Sequence, residues 1–157
     1  MGFDVRATGY GTSCLELTGH GEMLMGVAGR SSERLDLVLP EGMLPLADVR
    51  AEVRRLLRGM HENVVVDVMV VATELVSNAY HHAAPPRRAR ILRLPEREVV
   101  RVEVDDGTPG RFPQLGRMGF LGRRQRGLLL VNGLAQVWGH NRYPDSKTVW
   151  ADVSSVR

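Results

Sequence analysis

Polar and apolar positions alternate in some stretches of this chain and recur at helical spacing in others. From Arg34 to Leu39 (RLDLVL), Leu35, Leu37 and Leu39 alternate with Arg34, Asp36 and Val38. A period of two predicts a strand, which Pro40-Glu-Gly42 ends. From Leu46 to Met60, Val49, Val53, Leu56 and Leu57 share one face while arginines hold the other, predicting an amphipathic helix stopped near Gly59. A second helix, predicted from Asn63 to Ala83, is apolar over most of its circumference and is terminated by Pro85-Pro86. Arg88–Leu94 and Glu98–Asp105 read as a hairpin joined by Pro95-Glu96-Arg97. In its second strand Val100, Val102 and Val104 share a face, and Asp106 continues their phase. Gly127–Trp138 (GLLLVNGLAQVW) predicts an apolar helix. Gly139–Asn141 and Lys147–Val153 predict strands around the turn Tyr143-Pro144-Asp145-Ser146.

The order β-α-α-β-β-loop-α-β-β predicts an α/β protein of the α+β two-layer kind, with a mixed, largely antiparallel sheet and three helices on one face. Trp138 and Trp150 are expected in the core under the sheet. Residues 1–32 are rich in Gly, Ser and Thr without a period and read as an N-terminal arm, with at most one short strand. Residues 33–157 then form a single domain. Gly107 to Gly122 holds five glycines and two prolines, which suits a long mobile loop.

Composition narrows the function classes. All but Lys147 of the 21 basic residues are arginine, which fits a GC-rich bacterial genome better than a chemical need. A net charge of +3 permits an anionic partner without selecting one. The lone Cys14 excludes an internal disulfide and a CxxC knuckle, and fits a reducing cytosol. The N-terminus has no apolar leader and no apolar run approaches the ~20 residues of a membrane span, so a cytoplasmic protein without membrane contact is expected. Lys147-Thr148 follows Ser146 rather than the glycines of a P-loop. His81 and His82, adjacent on a helix, point about 100° apart and do not make a metal site. Arg87-Arg88-Ala-Arg90 reads as a solvated loop. Arg123-Arg124-Gln-Arg126 lies where it could meet phosphate or an acidic partner. Nucleic-acid binding is not expected, because charge comes with no groove-fitting element or stacking platform.

Three segments carry chemistry. Glu74 and Asn78, one turn apart on an apolar helix, lie about 40° apart around its axis. Burying an unpartnered amide or carboxylate is costly, so such a pair needs a partner. It could cross-link neighbouring helices. It could also serve a magnesium–phosphate ligand, since Mg²⁺ takes one or two protein oxygens and fills its shell with water and phosphate. A carboxylate there could accept the proton of a hydroxyl attacking the γ-phosphate. Asp106, at the end of an apolar strand before Gly107, can accept a hydrogen bond from an exocyclic amine such as that of adenine, or simply open a turn. Asp105-Asp106-Gly107 offers an alternative register. Arg126-Gly127 opens a helix after a flexible loop, where free N–H groups suit an anion.

In this order and spacing the segments resemble the asparagine and two glycine motifs of the Bergerat ATP-binding fold, shared by gyrase, histidine kinases, a heat-shock chaperone and MutL. Similarity is closest to the small anti-sigma-factor serine kinases and their actinobacterial relatives. Glu74-Leu-Val-Ser-Asn78-Ala-Tyr-His-His82-Ala83 matches ELVxNAxxHA. Val102-Glu-Val-Asp-Asp106 with Thr108-Pro109 resembles VxVxDxSP. Arg126-Gly-Leu-Leu-Leu-Val131, Trp138-Gly139 and Lys147-Thr-Val-Trp150 resemble RGLLLV, WG and KTVW. The likeness covers roughly residues 33–153.

The resemblance implies ATP and Mg²⁺ as cofactors, Glu74 as general base, Asn78 as metal ligand and Asp106 as adenine reader. It further implies that Gly127 lets the lid backbone approach the phosphates and that Thr148 helps hold adenine, with Gly110, Arg126 and Leu128 completing the nucleotide-binding positions. His82 matches a family position with no role assigned here. The implied activity is phosphorylation of a small anti-sigma antagonist on serine or threonine, with a sigma factor as the alternative partner and homodimerisation left open. Thr108 stands where the wider superfamily has Gly, and Gln125 where the second glycine segment has its first Gly. A side chain at Gln125 narrows the lid's conformations, which keeps a non-catalytic nucleotide- or partner-binding regulator as the alternative.

Overall fold

Nine residues from Val64 to Ala79 face inward from helix α2 (Glu62–His82), which is why it lies at the centre of the molecule. The structure, a computed structural model, describes residues 33–111 and 126–156. The arm 1–32, most of the predicted glycine loop (112–122), Arg123, Arg124 and Gln125 lie outside the described residues. Before α2 come β1 (Arg34–Leu39) and α1 (Leu46–Leu56). After it come β2 (Arg87–Leu94), a short 3₁₀ turn (Pro95–Arg97), β3 (Val99–Asp106), α3 (Arg126–Leu134), β4 (Ala135–Arg142) and β5 (Lys147–Ser154).

The predicted element order stands, and the two-layer α+β architecture with three helices packed on a five-stranded sheet is present. The sheet runs β1-β2-β3-β5-β4. Every pairing among the described strands is antiparallel, which is the antiparallel side of the largely antiparallel or mixed sheet expected. The crossover through α3 leaves β4 running in the direction of β3, but β5 inserts between them and is antiparallel to both.

Two element boundaries also move. Helix α1 stops at Leu56 rather than Met60, and Gly59 then turns the chain with φ 88°. The helix predicted to reach Trp138 ends at Leu134, because Ala135 and Trp138 are already paired with Val153 and Ala151 of β5. Trp138 stays partly buried against the core, and its Nε1 donates back to Asn132 Oδ1 at 3.2 Å.

Strand alternation divides the sheet into two faces. Val100, Val102 and Val104 of β3, with Val149, Ala151 and Val153 of β5, meet α2 in the core. Their neighbours Arg101, Glu103, Trp150 and Asp152 take the outer face, where Arg90 bridges Glu103 and Asp105 and Arg101 pairs with Asp152. Trp150 is therefore not the core residue that was expected. It lies on the outer face with the Arg101 guanidinium 4.6 Å from its ring centre.

The expectation that no segment approaches a membrane span is also corrected. Helix α2, at 21 residues, is long and apolar enough to cross one. In this fold its apolar residues are instead spent on the core, against α1, α3 and the sheet.

Candidate functional site

Helix α2 carries Glu74 and Asn78 between the buried residues Leu75, Val76 and Ala79, so both polar side chains are half-buried on the edge of its apolar surface. The Asn78 Nδ2 atom is fully buried and has no hydrogen-bond partner among the described residues. Leaving such a donor unmatched costs about 1–3 kcal/mol. Nor do the described residues supply a hydrogen bond or ion pair to the Glu74 carboxylate.

Helix α3 begins directly beside this pair. A Cβ built on Gly127 would overlap Glu74 Oε2, so a larger residue there would push the flexible Glu74 carboxylate aside. The partial positive charge of a helix N-terminus suits the carboxylate it meets there. Leu128, the next residue, is buried, and Arg126 opens the helix.

At the far end of α2 the chain is tied to the end of β3. Gly107 N–H donates to Ala84 O at 2.9 Å, and the Ala84 N–H donates to Thr108 Oγ1 at 2.8 Å. A Cβ on Gly107 would overlap the Pro85 carbonyl, so the glycine is required by backbone approach. Thr108, the departure noted in the sequence, thus has a definite structural use. Arg87 is buried, against its reading as a solvated residue, because it closes the C-terminus of α2. Its Nε donates to Ala79 O at 3.0 Å, its Nη2 bonds Ala83 O, and its guanidinium lies 4.6 Å from the Tyr80 ring centre. Tyr80 in turn donates to Pro40 O at 2.6 Å, and burial pushes its hydroxyl pKa up against the opposing charge of Arg87.

Asp106 faces inward and is 3% exposed. Its Oδ1 accepts from Lys147 Nζ at 2.7 Å and from the Thr108 N–H at 2.9 Å. Lys147, also buried, donates in addition to Thr108 O at 3.0 Å. Thr148 is not brought to Asp106. It is opposite Asp105 in the register, and its hydroxyl donates to Asp105 Oδ1 at 2.6 Å on the other side of the sheet. Gly110 is exposed, with open space where a Cβ would sit. The structure therefore gathers Glu74, Asn78, Gly127 and Leu128 at one end and Asp106 with Lys147 at the other, and sets Thr148 and Gly110 apart.

Lys147 was missed as a site residue. Its signal was the strand's own phase: if Val149 and Ala151 face the core, so does Lys147, as the one lysine in an arginine-rich chain.

The residues fit a magnesium–nucleotide. A carboxylate and a carboxamide oxygen are hard donors for a metal, and the orphaned Asn78 Nδ2 needs an acceptor, which a phosphate oxygen would supply. Among the described residues no three His, Cys, Asp or Glu side chains stand together. A metal here would complete its shell with water and phosphate, as Mg²⁺ commonly does.

Comparison with known proteins agrees with this arrangement. Residues 43–152 match the family described as the histidine kinase-like ATPase domain. No curated protein matches the chain. A similar solved structure is the crystal structure of the RsbU and RsbW domains of Rv1364c from Mycobacterium tuberculosis, with a TM-score of 0.59 and 20% identity over 79% of this chain. This chain covers 33% of that one, and at such identity the likeness speaks to the fold.

Proposed function

This chain belongs to the histidine kinase-like ATPase domain family, an ATP-binding fold, and from that membership we propose that it is an ATP-dependent serine/threonine protein kinase of a bacterial partner-switching pathway. Its substrate would be a small anti-sigma antagonist protein, with a sigma factor as the alternative partner. The observation that carries the reading is the unsatisfied Asn78 amide beside an unpartnered Glu74 at the start of α3.

In this reading Asn78 holds Mg²⁺ through its carboxamide oxygen, and Asp106 accepts the amino group of adenine. Bound Mg-ATP supplies the transferable phosphoryl group and neutralises charge on it. Glu74 takes the proton of the acceptor hydroxyl, a role suited to a carboxylate that no cation on the described residues has already claimed. The first N–H groups of α3 face the anion.

A second reading is a regulator that binds nucleotide or partner without transfer. It is favoured by Gln125, whose side chain replaces a glycine immediately before α3. Transfer of labelled γ-phosphate to a candidate antagonist separates the two. The kinase reading expects transfer by the wild type and at least a 100-fold loss in Glu74→Ala. Nucleotide binding with no transfer would leave the regulator.

A further inference from the structure

We propose that Lys147 is the second half of the base-recognition site, donating to the purine ring nitrogen beside the amino group that Asp106 accepts. The inference rests on the nucleotide-binding reading above and adds a specificity-determining residue to it.

Lysine and aspartate are rarely buried, yet Asp106 is 3% and Lys147 4% exposed. Both project from strand ends onto the inner face, directly opposite each other in the β3–β5 register. If stability were the only requirement, two apolar residues of similar volume would serve as well or better. The bonding pattern points elsewhere. Among the described residues every bond to the Asp106 carboxylate falls on Oδ1, shared by Lys147 Nζ and the Thr108 N–H. Oδ2 is left as an acceptor. The ammonium has three donors, and two are spent on Asp106 Oδ1 and Thr108 O. The third has no partner among the described residues.

The pair thus leaves one acceptor, Asp106 Oδ2, and one Lys147 donor uncommitted among the described residues. Its complement is a donor next to an acceptor, which is the amino group and N1 edge of adenine. The rest of the site lies within reach along α2. Helix α2 runs four residues beyond Asn78 to His82, about 6 Å along its axis, and the Ala84 peptide that anchors Gly107 and Thr108 follows two residues later.

The test is titration of the full chain, by calorimetry, with Mg-ATP and with Mg-1-deaza-ATP, in which N1 is replaced by C–H. The wild type should bind the deaza nucleotide at least 10-fold more weakly, and Lys147→Met should bring the two affinities within 2-fold of each other. Equal affinities in the wild type, or an undiminished ratio in Lys147→Met, would overturn the role of Lys147 while leaving nucleotide binding intact. Binding of neither nucleotide by the wild type would overturn the nucleotide reading itself and this inference with it. Equal affinities in the wild type overturn the inference without any substitution, so it stays falsifiable even if Lys147→Met does not fold.

Discussion

Gly127 lacks a side chain where Glu74 would meet one: a Cβ at that position would fall on the carboxylate oxygen Oε2. The start of α3 and the middle of α2 therefore meet at the tip of one flexible side chain. Gly127→Ala forces the flexible Glu74 carboxylate aside, and because alanine also favours the helix its net effect on stability should stay within about 1 kcal/mol. In a Glu74→Ala background the same substitution should cost at least 0.5 kcal/mol less, since contacting residues couple by about 0.5–3 kcal/mol. Denaturant unfolding of the four proteins in this cycle measures the coupling, and additive effects would deny the contact.

The outer face of the sheet holds an acid at 1% exposure, Asp152. Arg101 grips it through Nε at 2.6 Å and Nη2 at 2.8 Å, while Arg97, 51% exposed, reaches it at 3.2 Å. Removing Arg101 leaves a buried carboxylate with one weak partner, so Arg101→Leu should cost about 3 kcal/mol, the low end for breaking a buried pair. Arg97→Ala should cost less than about 1 kcal/mol, as exposed pairs do. Chemical denaturation should show that ordering; equal costs would mean Asp152 is not held chiefly by Arg101.

Thr108 accepts the Ala84 N–H through Oγ1 at 2.8 Å, in a place partly open to water. Thr108→Val should lose about 1 kcal/mol, the net worth of such a bond, while Thr108→Ser should stay near wild type. Thermal unfolding should place the valine variant about 2–4 °C lower. If both variants unfold together, the hydroxyl contributes nothing.

His140 supplies a pH dependence. Burial lowers its pKa, and the nearby Lys147 charge lowers it further. The unfolded chain protonates this histidine below about pH 6.5, while the folded chain still resists. Unfolding then takes up a proton, so stability is complete above that pH and falls as pH drops toward the lowered folded value. His140→Gln should flatten that part of the stability–pH profile, and an unchanged slope between pH 6.5 and 5 would contradict the assignment.

Much of the fold was legible because one period dominated each segment. The Leu35-Leu37-Leu39 alternation gave β1 to the residue, and the apolar run of α2 marked a long, mostly buried helix. The α3–β4 boundary was not legible, because Ala135-Gln-Val-Trp138 continues an apolar pattern that suits either period. What decides it is pairing with β5, which comes later in the chain. Nor was it legible that β5 would lie between β3 and β4. Within the site, Glu74, Asn78 and Gly127 came from spacing and resemblance alone. Lys147 shared its phase with Val149 and Ala151, a signal that went unused, whereas the pairing of Thr148 with Asp105 is fixed only by the assembled sheet. Arg87 looked like one more arginine in a basic cluster because its acceptors are helix-terminal carbonyls, invisible as a sequence pattern.

The central claim is that α2 keeps an unsatisfied Asn78 amide for a magnesium–nucleotide rather than for its own stability. Thermal unfolding of the wild type and Asn78→Leu, each with and without Mg-ATP, tests it most directly. Without nucleotide the leucine variant should be at least as stable as the wild type, because an orphaned buried donor has been removed. With Mg-ATP at 100-fold over its Kd the wild type should gain about 2.7 kcal/mol and the variant almost nothing. A variant that is weaker without nucleotide, yet gains as much from Mg-ATP as the wild type, would contradict the account.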